Sequence, residues 1–257
     1  MDLLKVVEGL PKTELVYWRD SYVKSFEAEV LRVVPDGKKK AYLILGKTIF
    51  HYKGGGQPSD SGNLMTTSGT SFSVKKVMAA NEVVVHYGFI DEGGLDQLNT
   101  GTRVKGEINW SDRYSAMRKH TAGHLLDHCL DTATGRSPRT IDSWLGDPSY
   151  VTYAGQMPSP VEIDKAIGLE IESIKRGLPV RIDFVSYEEM LRVAADAPNI
   201  ARLPQSDLMR IVTIEGCKPI PCGGTHVSNT REIGRFELRK FEVVDDGRSF
   251  RVYYNLI

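Results

Sequence analysis

Four side chains of the kinds that bind transition metals occur in two short segments of the chain. His120 and His124 lie four residues apart, and on a helix such positions share one face about 6 Å apart. Cys222 and His226 have the same spacing, and the two glycines between them allow a tight turn. Three imidazoles and a thiolate are typical of tetrahedral zinc, whereas Mg²⁺ and Ca²⁺ prefer oxygen ligands. We therefore predict a Zn²⁺ site with four ligands: His120, His124, Cys222 and His226.

A structural role for the same residues is the alternative. The two histidines would then lie on a helix surface and Cys222 would be a buried thiol. His128 continues the spacing, but it lies two helical turns from His120, too far to share one ion. The chain has three cysteines in all, which cannot form a disulfide framework and favour a reducing compartment. Both spaced pairs together in a chain with only six histidines favour the metal.

A glycine-rich segment is the second candidate for chemistry. Gly54, Gly55 and Gly56 are consecutive and Gln57 follows them. Such a loop exposes backbone N–H groups and lets a polar ligand approach closely. It has neither a Walker sequence nor a G-x-G-x-x-G pattern, so a nucleoside triphosphate is not indicated. Gln57 can both donate and accept hydrogen bonds at the end of the loop. The alternative is a flexible hairpin tip.

The elements that carry these residues differ between the two parts of the chain. Residues 1–107 contain short aromatic and β-branched runs separated by turn residues, typical of a small barrel or sandwich. From Ser111-Asp112, a predicted helix N-cap, a helix that contains both spaced histidines runs to near Gly135. A second helix begins at Pro160, and strands and a closing hairpin follow. We predict an α+β fold with a β-barrel-like domain at 1–107 and an α+β domain at 108–257.

Composition and charge restrict the class of protein. Hydrophobic residues make up 41% and charged residues 26% of the chain, as in soluble globular proteins. Thirty-three basic residues balance 33 acidic ones, which excludes a histone-like chain but not a local basic face. No apolar run approaches the ~20 residues of a membrane helix. We expect a cytoplasmic protein without a membrane partner. Arg118 and Lys119, beside the first histidine, are the best-placed phosphate ligands; a solvated charged face is the alternative.

These segments together resemble a known family, the free-standing alanyl-tRNA editing proteins of the AlaX type, which are similar to the editing domain of alanyl-tRNA synthetase. The resemblance covers most of the chain. Its motifs occur in order at residues 20–28, 54–62, 113–126 and 221–226. It implies a small β-barrel domain joined to a zinc-containing editing domain. It also implies an aminoacyl-tRNA deacylase, an ester hydrolase that acts in trans on mischarged tRNA-Ala, chiefly Ser-tRNA-Ala and sometimes Gly-tRNA-Ala.

The resemblance also implies roles for single residues. The four predicted ligands correspond to the family's zinc ligands, and Gln57 corresponds to its active-site glutamine. One position departs from the family. Many relatives have a threonine just before the second metal histidine, whose hydroxyl helps to recognise serine, and Gly123 occupies that position here. Thr121 is the nearby hydroxyl. The preferred amino acid and the oligomeric state are left without a prediction.

Our mechanistic hypothesis has zinc organising the site while Gln57 and the ribose hydroxyl orient water. Gln57 and Thr121 are the predicted catalytic residues. The residues predicted to bind substrate are Gly54, Gly55, Gly56, Gly123, Arg118 and Lys119. Four protein ligands leave no open position on zinc, which argues against a simple zinc-hydroxide mechanism. The alternatives are a tRNA-binding module with structural zinc and no hydrolysis, and an ester hydrolase for small molecules on the same scaffold.

Overall fold

The computed structural model describes residues 2–137, 139–200, 203 and 207–257. The chain forms two compact units. The first contains the residues up to Gly54 together with Pro58–Tyr114, and the second contains Gly55–Gln57 together with Ser115–Ile257. The tip of the glycine-rich segment thus belongs to the second unit. Within the described ranges, no helix combines the length and apolar character that crossing a lipid bilayer requires.

Strands make up most of the first unit, and a short helix, α1 (Leu3–Val7), precedes them. The strands are β1 (Glu14–Leu15), β2 (Ser25–Pro35), β3 (Lys40–Leu45), β4 (Lys47–Thr48), β5 (Gly62–Thr66), β6 (Ser71–Ala80), β7 (Val83–Glu92) and β8 (Arg103–Ile108). Six of them close into an antiparallel barrel in the order β2-β3-β7-β6-β5-β8, and β1 pairs with β4 in parallel. Closure leaves no unpaired sheet edge in the barrel. The prediction of a small barrel is confirmed.

The barrel encloses an apolar core because its strands alternate in burial. In β8, Val104, Gly106 and Ile108 are buried while the residues between them are exposed. Leu43 and Phe72, from two other strands, are completely buried in the same core. This period of two residues is what the pleat of a half-buried strand imposes.

A buried ion pair organises the polar segments of the first unit. The guanidinium Nε of Arg113 donates to both carboxylate oxygens of Asp60 at 3.1 Å. The same side chain donates to the carbonyl oxygens of Ser21 at 3.1 Å and Ile49 at 2.5 Å. Asp60 also accepts the backbone N–H of His51 at 2.6 Å. Three segments of the family resemblance therefore meet at one structural ion pair, because a buried charge needs such a full set of partners.

The second unit combines helices with two antiparallel sheets. Its elements are α2 (Trp110–Thr134, of which Ser115 onward lies in this unit), β9 (Arg139–Trp144), β10 (Ser149–Ala154), α3 (Pro160–Arg176), β11 (Val180–Ser186), α4 (Tyr187–Val193), β12 (Leu208–Ile214), β13 (Ile220–Pro221), β14 (Phe236–Val244) and β15 (Ser249–Leu256). One sheet has the order β14-β15-β10-β9 and the other β11-β12-β13. The mixed α+β class is confirmed.

The ends of the helices follow local capping chemistry. α3 begins after Ser159, which forms a capping box with Glu162, and it ends at Gly177, whose φ of 71° is left-handed. α2 begins at Trp110, so the predicted N-cap at Ser111-Asp112 is wrong. Asn109 occupies that role because its side chain accepts the backbone N–H of Asp112, at 3.4 Å.

Helix α2 lies close against the inner face of the four-stranded sheet at Gly123. A Cβ on this glycine would lie 3.3 Å from Tyr254 Oη and 3.7 Å from Val151 Cγ2. The Tyr254 hydroxyl donates to the carbonyl oxygen of Lys119 at 2.8 Å, which ties the helix to β15. The missing side chain at position 123 thus leaves room for the Tyr254 hydroxyl and the Val151 side chain against the helix.

Candidate metal centre

The two predicted metal-binding segments come together in the second unit. One potential ligand atom from each of four residues lies within 4.8 Å of all the others: His120, His124, Cys222 and His226. The Nε2 atoms of His120 and His226 both lie 3.4 Å from Cys222 Sγ. The three imidazole centroids are 4.3–5.0 Å apart. This cluster could hold a metal ion, and its donor atoms are those that zinc prefers.

Each half of the cluster is positioned by a different kind of backbone. Helix α2 places its two histidines one turn apart on the same face. The loop after β13 carries the other two ligands, and the Gly224 N–H donates to Cys222 Sγ at 3.4 Å. A Cβ at Gly224 would lie 2.5 Å from His120 Nδ1, so only glycine lets the loop pass this close to the ring.

Gln57 lies beside this cluster and its side chain is completely buried. Its Oε1 is 3.0 Å from His120 Nδ1 and accepts the backbone N–H of Thr225, also at 3.0 Å. Its Nε2 donates to Thr225 Oγ1 at 2.8 Å. The predicted active-site glutamine therefore contacts a candidate metal ligand and the loop that carries the other two ligands.

The glycines before Gln57 pack against β9 and the turn that follows it. Gly56 has a φ of +81°, and a Cβ on it would lie 2.7 Å from the carbonyl oxygen of Ser143. Its own carbonyl accepts the N–H of Leu145 at 2.9 Å, and the Ser143 hydroxyl donates to the Gly55 carbonyl at 3.4 Å. Gly54 lies in the first unit beside the ring of Tyr52. These contacts hold the loop tip, while substrate binding by the glycines stays a prediction.

Thr121 is also completely buried and has three polar neighbours. Its hydroxyl donates to the carbonyl oxygen of Met117 at 3.0 Å and accepts the backbone N–H of Val227 at 3.2 Å. His226 Nδ1 lies 3.2 Å from the same oxygen. Thr121 thus contacts His226 in the way that Gln57 contacts His120.

Burial affects the protonation of the candidate ligands in opposite ways: it favours the neutral imidazole that a metal binds and disfavours the thiolate. Burial, and then the positive charge of Arg210, lowers the pKa of His124 to about 4, so this imidazole is neutral at physiological pH. Burial raises the pKa of the Cys222 thiol, while the Arg210 charge and the Gly224 N–H oppose that shift. His124 Nδ1 is buried and has no hydrogen-bond partner among the described residues. A buried imidazole nitrogen without a partner is costly, and metal binding at this ring fits that observation.

The two cations predicted to bind phosphate are engaged by backbone carbonyls. Arg118 donates from Nε and Nη2 to Ile233 O at 3.0 and 2.7 Å. Lys119 Nζ donates to Gly146 O at 2.6 Å, and burial lowers the pKa of Lys119. Both side chains hold the fold around the N-terminal half of α2, and phosphate binding by either stays a prediction.

Sequence reasoning missed two residues that shape this site. Arg210 is buried and donates from Nη1 to the carbonyl oxygen of Cys222 at 2.6 Å. Thr225 is buried and pairs with Gln57. An arginine inside β12, whose other residues are apolar except for Thr213, was a visible signal, because a charge in such a strand needs a buried partner. Thr225 had no signal beyond its place between two predicted ligands.

Two family models match parts of the chain. Residues 12–112 match the model described as tRNA synthetases class II (A). Residues 209–249 match the model described as threonyl and alanyl tRNA synthetase second additional domain.

Curated relatives match the chain over nearly its whole length. The alanyl-tRNA editing protein AlaX-M of Methanosarcina barkeri is 34% identical over 95% of this chain and 99% of its own. The AlaX-M protein of Saccharolobus solfataricus is 35% identical, with the same coverage. The alanine–tRNA ligase of Methanococcus vannielii is 31% identical over 93% of this chain, which spans only 25% of that ligase.

Proposed function

Because the chain belongs to the family of AlaX-type alanyl-tRNA editing proteins, we propose that it is an aminoacyl-tRNA deacylase that clears mischarged tRNA-Ala in trans. Its similarity extends over 99% of two proteins named for that editing but over about a quarter of the ligases. The observation in the molecule that carries the proposal is the convergence of three imidazoles and one thiol on a single position.

In this proposal the four clustered residues hold zinc. The bound ion would supply positive charge near the ester carbonyl or the amino group of the substrate. Water attacks the carbonyl carbon, the bond to the terminal ribose oxygen breaks, and the amino acid leaves while that oxygen takes up a proton. The contribution of the chain is to exclude bulk water around the ligands: His120, His226 and the Gln57 amide are nearly or completely buried.

Ser-tRNA-Ala is the proposed main substrate and Gly-tRNA-Ala a second one. Gly123 supplies no hydroxyl, and its Cβ position faces Tyr254 rather than open space. The Thr121 hydroxyl already has three polar neighbours. A pocket that hydrogen-bonds a substrate hydroxyl rejects the analogue without it by ~10⁴-fold or more, whereas shape alone gives about 10- to 200-fold. We therefore expect kcat/KM for the seryl and glycyl esters to differ by less than about 200-fold.

The proposed function is divided between the two predicted domains. In this proposal residues 108–257 are the editing domain and residues 1–107 the β-barrel domain, except that Gly55–Gln57 group with the second unit, so Gln57 acts as part of the editing unit. We place the protein in the cytoplasm, where its tRNA substrates are charged.

The test is a panel of aminoacylated tRNA-Ala carrying serine, glycine or alanine. Release of free amino acid is measured with zinc-loaded protein, with chelator-treated protein and after zinc is added back. The proposal expects rapid release of serine and slower release of glycine, with alanine released more slowly than serine, and activity lost on chelation and restored by zinc. Tight binding of the tRNA without any release would refute it and leave a tRNA-binding module.

A further inference from the structure

The orientation of the Gln57 amide follows from its backbone neighbour. A backbone N–H can only donate, so the Gln57 atom 3.0 Å from the Thr225 N–H must be the amide oxygen. The amide nitrogen then faces Thr225 Oγ1, to which it donates at 2.8 Å. One obligatory backbone donor therefore fixes which end of the amide faces His120.

This orientation determines where His120 carries its proton. His120 Nδ1 lies 3.0 Å from the amide oxygen, which can only accept, so Nδ1 must be the protonated nitrogen of the neutral ring. Its Nε2 is then the unprotonated nitrogen, which carries the lone pair, and that atom is the one 3.4 Å from Cys222 Sγ. The lone pair consequently points into the ligand cluster.

A second set of contacts determines in the same way where His226 carries its proton. The Val227 N–H donates to Thr121 Oγ1, and the single hydroxyl hydrogen is directed to the carbonyl of Met117. Oγ1 is then an acceptor for His226 Nδ1, 3.2 Å away. The Nε2 lone pair of His226 also lies 3.4 Å from Cys222 Sγ.

We propose that Gln57 and Thr121 are positioning residues of the metal centre: each fixes the tautomer and ring orientation of one histidine so that its Nε2 binds the ion. Gln57 acts on His120 and Thr121 acts on His226. Neither acts on water or on the ester. The inference rests on the proposed function for the reaction it serves, but its metal-binding content can be measured without tRNA.

Three features of the molecule support this assignment over a direct role on the substrate. Both side chains are completely buried. The Gln57 oxygen has two donors and the Thr121 oxygen has three polar neighbours, so their acceptor capacity is used within the protein. The two backbone donors are the N–H groups of Thr225 and Val227, on either side of His226. The loop that carries Cys222 and His226 therefore also orients the Gln57 amide and the Thr121 hydroxyl.

The first experiment measures metal binding without substrate. Gln57→Leu and Thr121→Val remove the acceptors, whereas Gln57→Glu and Thr121→Ser retain them, and Ser59→Ala is the loop control. Zn²⁺ affinity is measured by chelator competition, and Co²⁺ absorption reports the ligand set. We expect about 10- to 100-fold weaker Zn²⁺ binding in the Leu and Val variants, and affinity within a few-fold of wild type in the other three. If Gln57→Leu binds Zn²⁺ with wild-type affinity but has lost deacylation, the inference is overturned and Gln57 acts directly on the substrate.

A second measurement covers the case in which a variant does not fold. In the wild-type protein labelled with ¹⁵N-histidine, long-range ¹H–¹⁵N correlations report the tautomer of each ring. We expect the Nδ1–H form for His120 and His226, both before and after zinc is added. The Nε2–H form at either ring would overturn the assignment for that ring. If tautomers and affinities follow the expectation while mischarged tRNA is not hydrolysed, the proposed function fails and the positioning roles stand.

Discussion

Metal binding to the cluster should release one proton, and Cys222 should be its source. Burial raises the pKa of this thiol, so it is protonated at neutral pH in the metal-free protein, whereas His124, with its pKa lowered to about 4, is already neutral. A metal binds the thiolate and must displace that proton. Below the thiol pKa, each unit rise in pH therefore strengthens apparent Zn²⁺ binding by about tenfold, which is ~1.4 kcal/mol.

Calorimetry can count that proton directly. Zn²⁺ is titrated at pH 7.5 in two buffers of different ionisation enthalpy, and chelator competition gives the affinity at pH 7 and pH 8. We expect one proton per metal and about tenfold tighter binding at the higher pH. Cys222→Ser should abolish the pH slope, while Cys217→Ser, the matched thiol outside the cluster, should keep it. A wild-type affinity that does not change with pH would refute the assignment of Cys222 as a ligand.

Three further predictions concern the packing and charge around the site and in the barrel. Gly224→Ala should weaken Zn²⁺ binding at least tenfold in chelator competition, because its Cβ would lie 2.5 Å from His120 Nδ1; unchanged binding would contradict the packing. Asp60→Asn should lower the free energy of unfolding in urea by about 3–5 kcal/mol, because it leaves the buried Arg113 without an opposite charge. As a control, Lys12→Ala, which removes the exposed ion pair with Glu82, should lower it by less than about 1 kcal/mol. Burial lowers the pKa of His86 to about 4, so the contribution of this residue to stability should be constant above pH ~6.5 and fall by about 3 kcal/mol toward pH 4. Because burial also lowers the pKa of His124 to about 4, His86→Gln should reduce the loss of stability in acid by about 3 kcal/mol without abolishing it; a loss equal to that of the wild type would contradict the assignment.

The long elements could be predicted from the sequence because their local signals agree. Helix α3 runs from Pro160 to Arg176, as its proline start and Gly177 end indicate. Strands β3 and β12 coincide with short, mostly apolar runs of six and seven residues, which are typical of strands. The short strands with alternating apolar and polar residues predicted a barrel, because closing the sheet removes its unpaired edge strands.

The contacts that orient the ligands could not be predicted, because they join residues far apart in the chain. Gln57 and Thr225 are 168 positions apart, and nothing in the sequence of either segment specifies that they meet. The predicted elements did not include β9, which is mostly polar, or β10, although its Tyr150, Val151 and Tyr153 favour a strand. Spacing could predict which four side chains cluster, since each pair lies four residues apart and close together in the chain. The partners that set their tautomers depend on tertiary structure.

Helix α2 and the loop after β13 should hold one metal ion together, and the proposed roles of Gln57 and Thr121 depend on that shared ion. Zinc X-ray absorption on purified, zinc-loaded protein tests it most directly. We predict one ion per chain, with about one sulfur at ~2.3 Å and about three nitrogens at ~2.0–2.1 Å. A first shell without sulfur, or one made of oxygen ligands, would contradict the account.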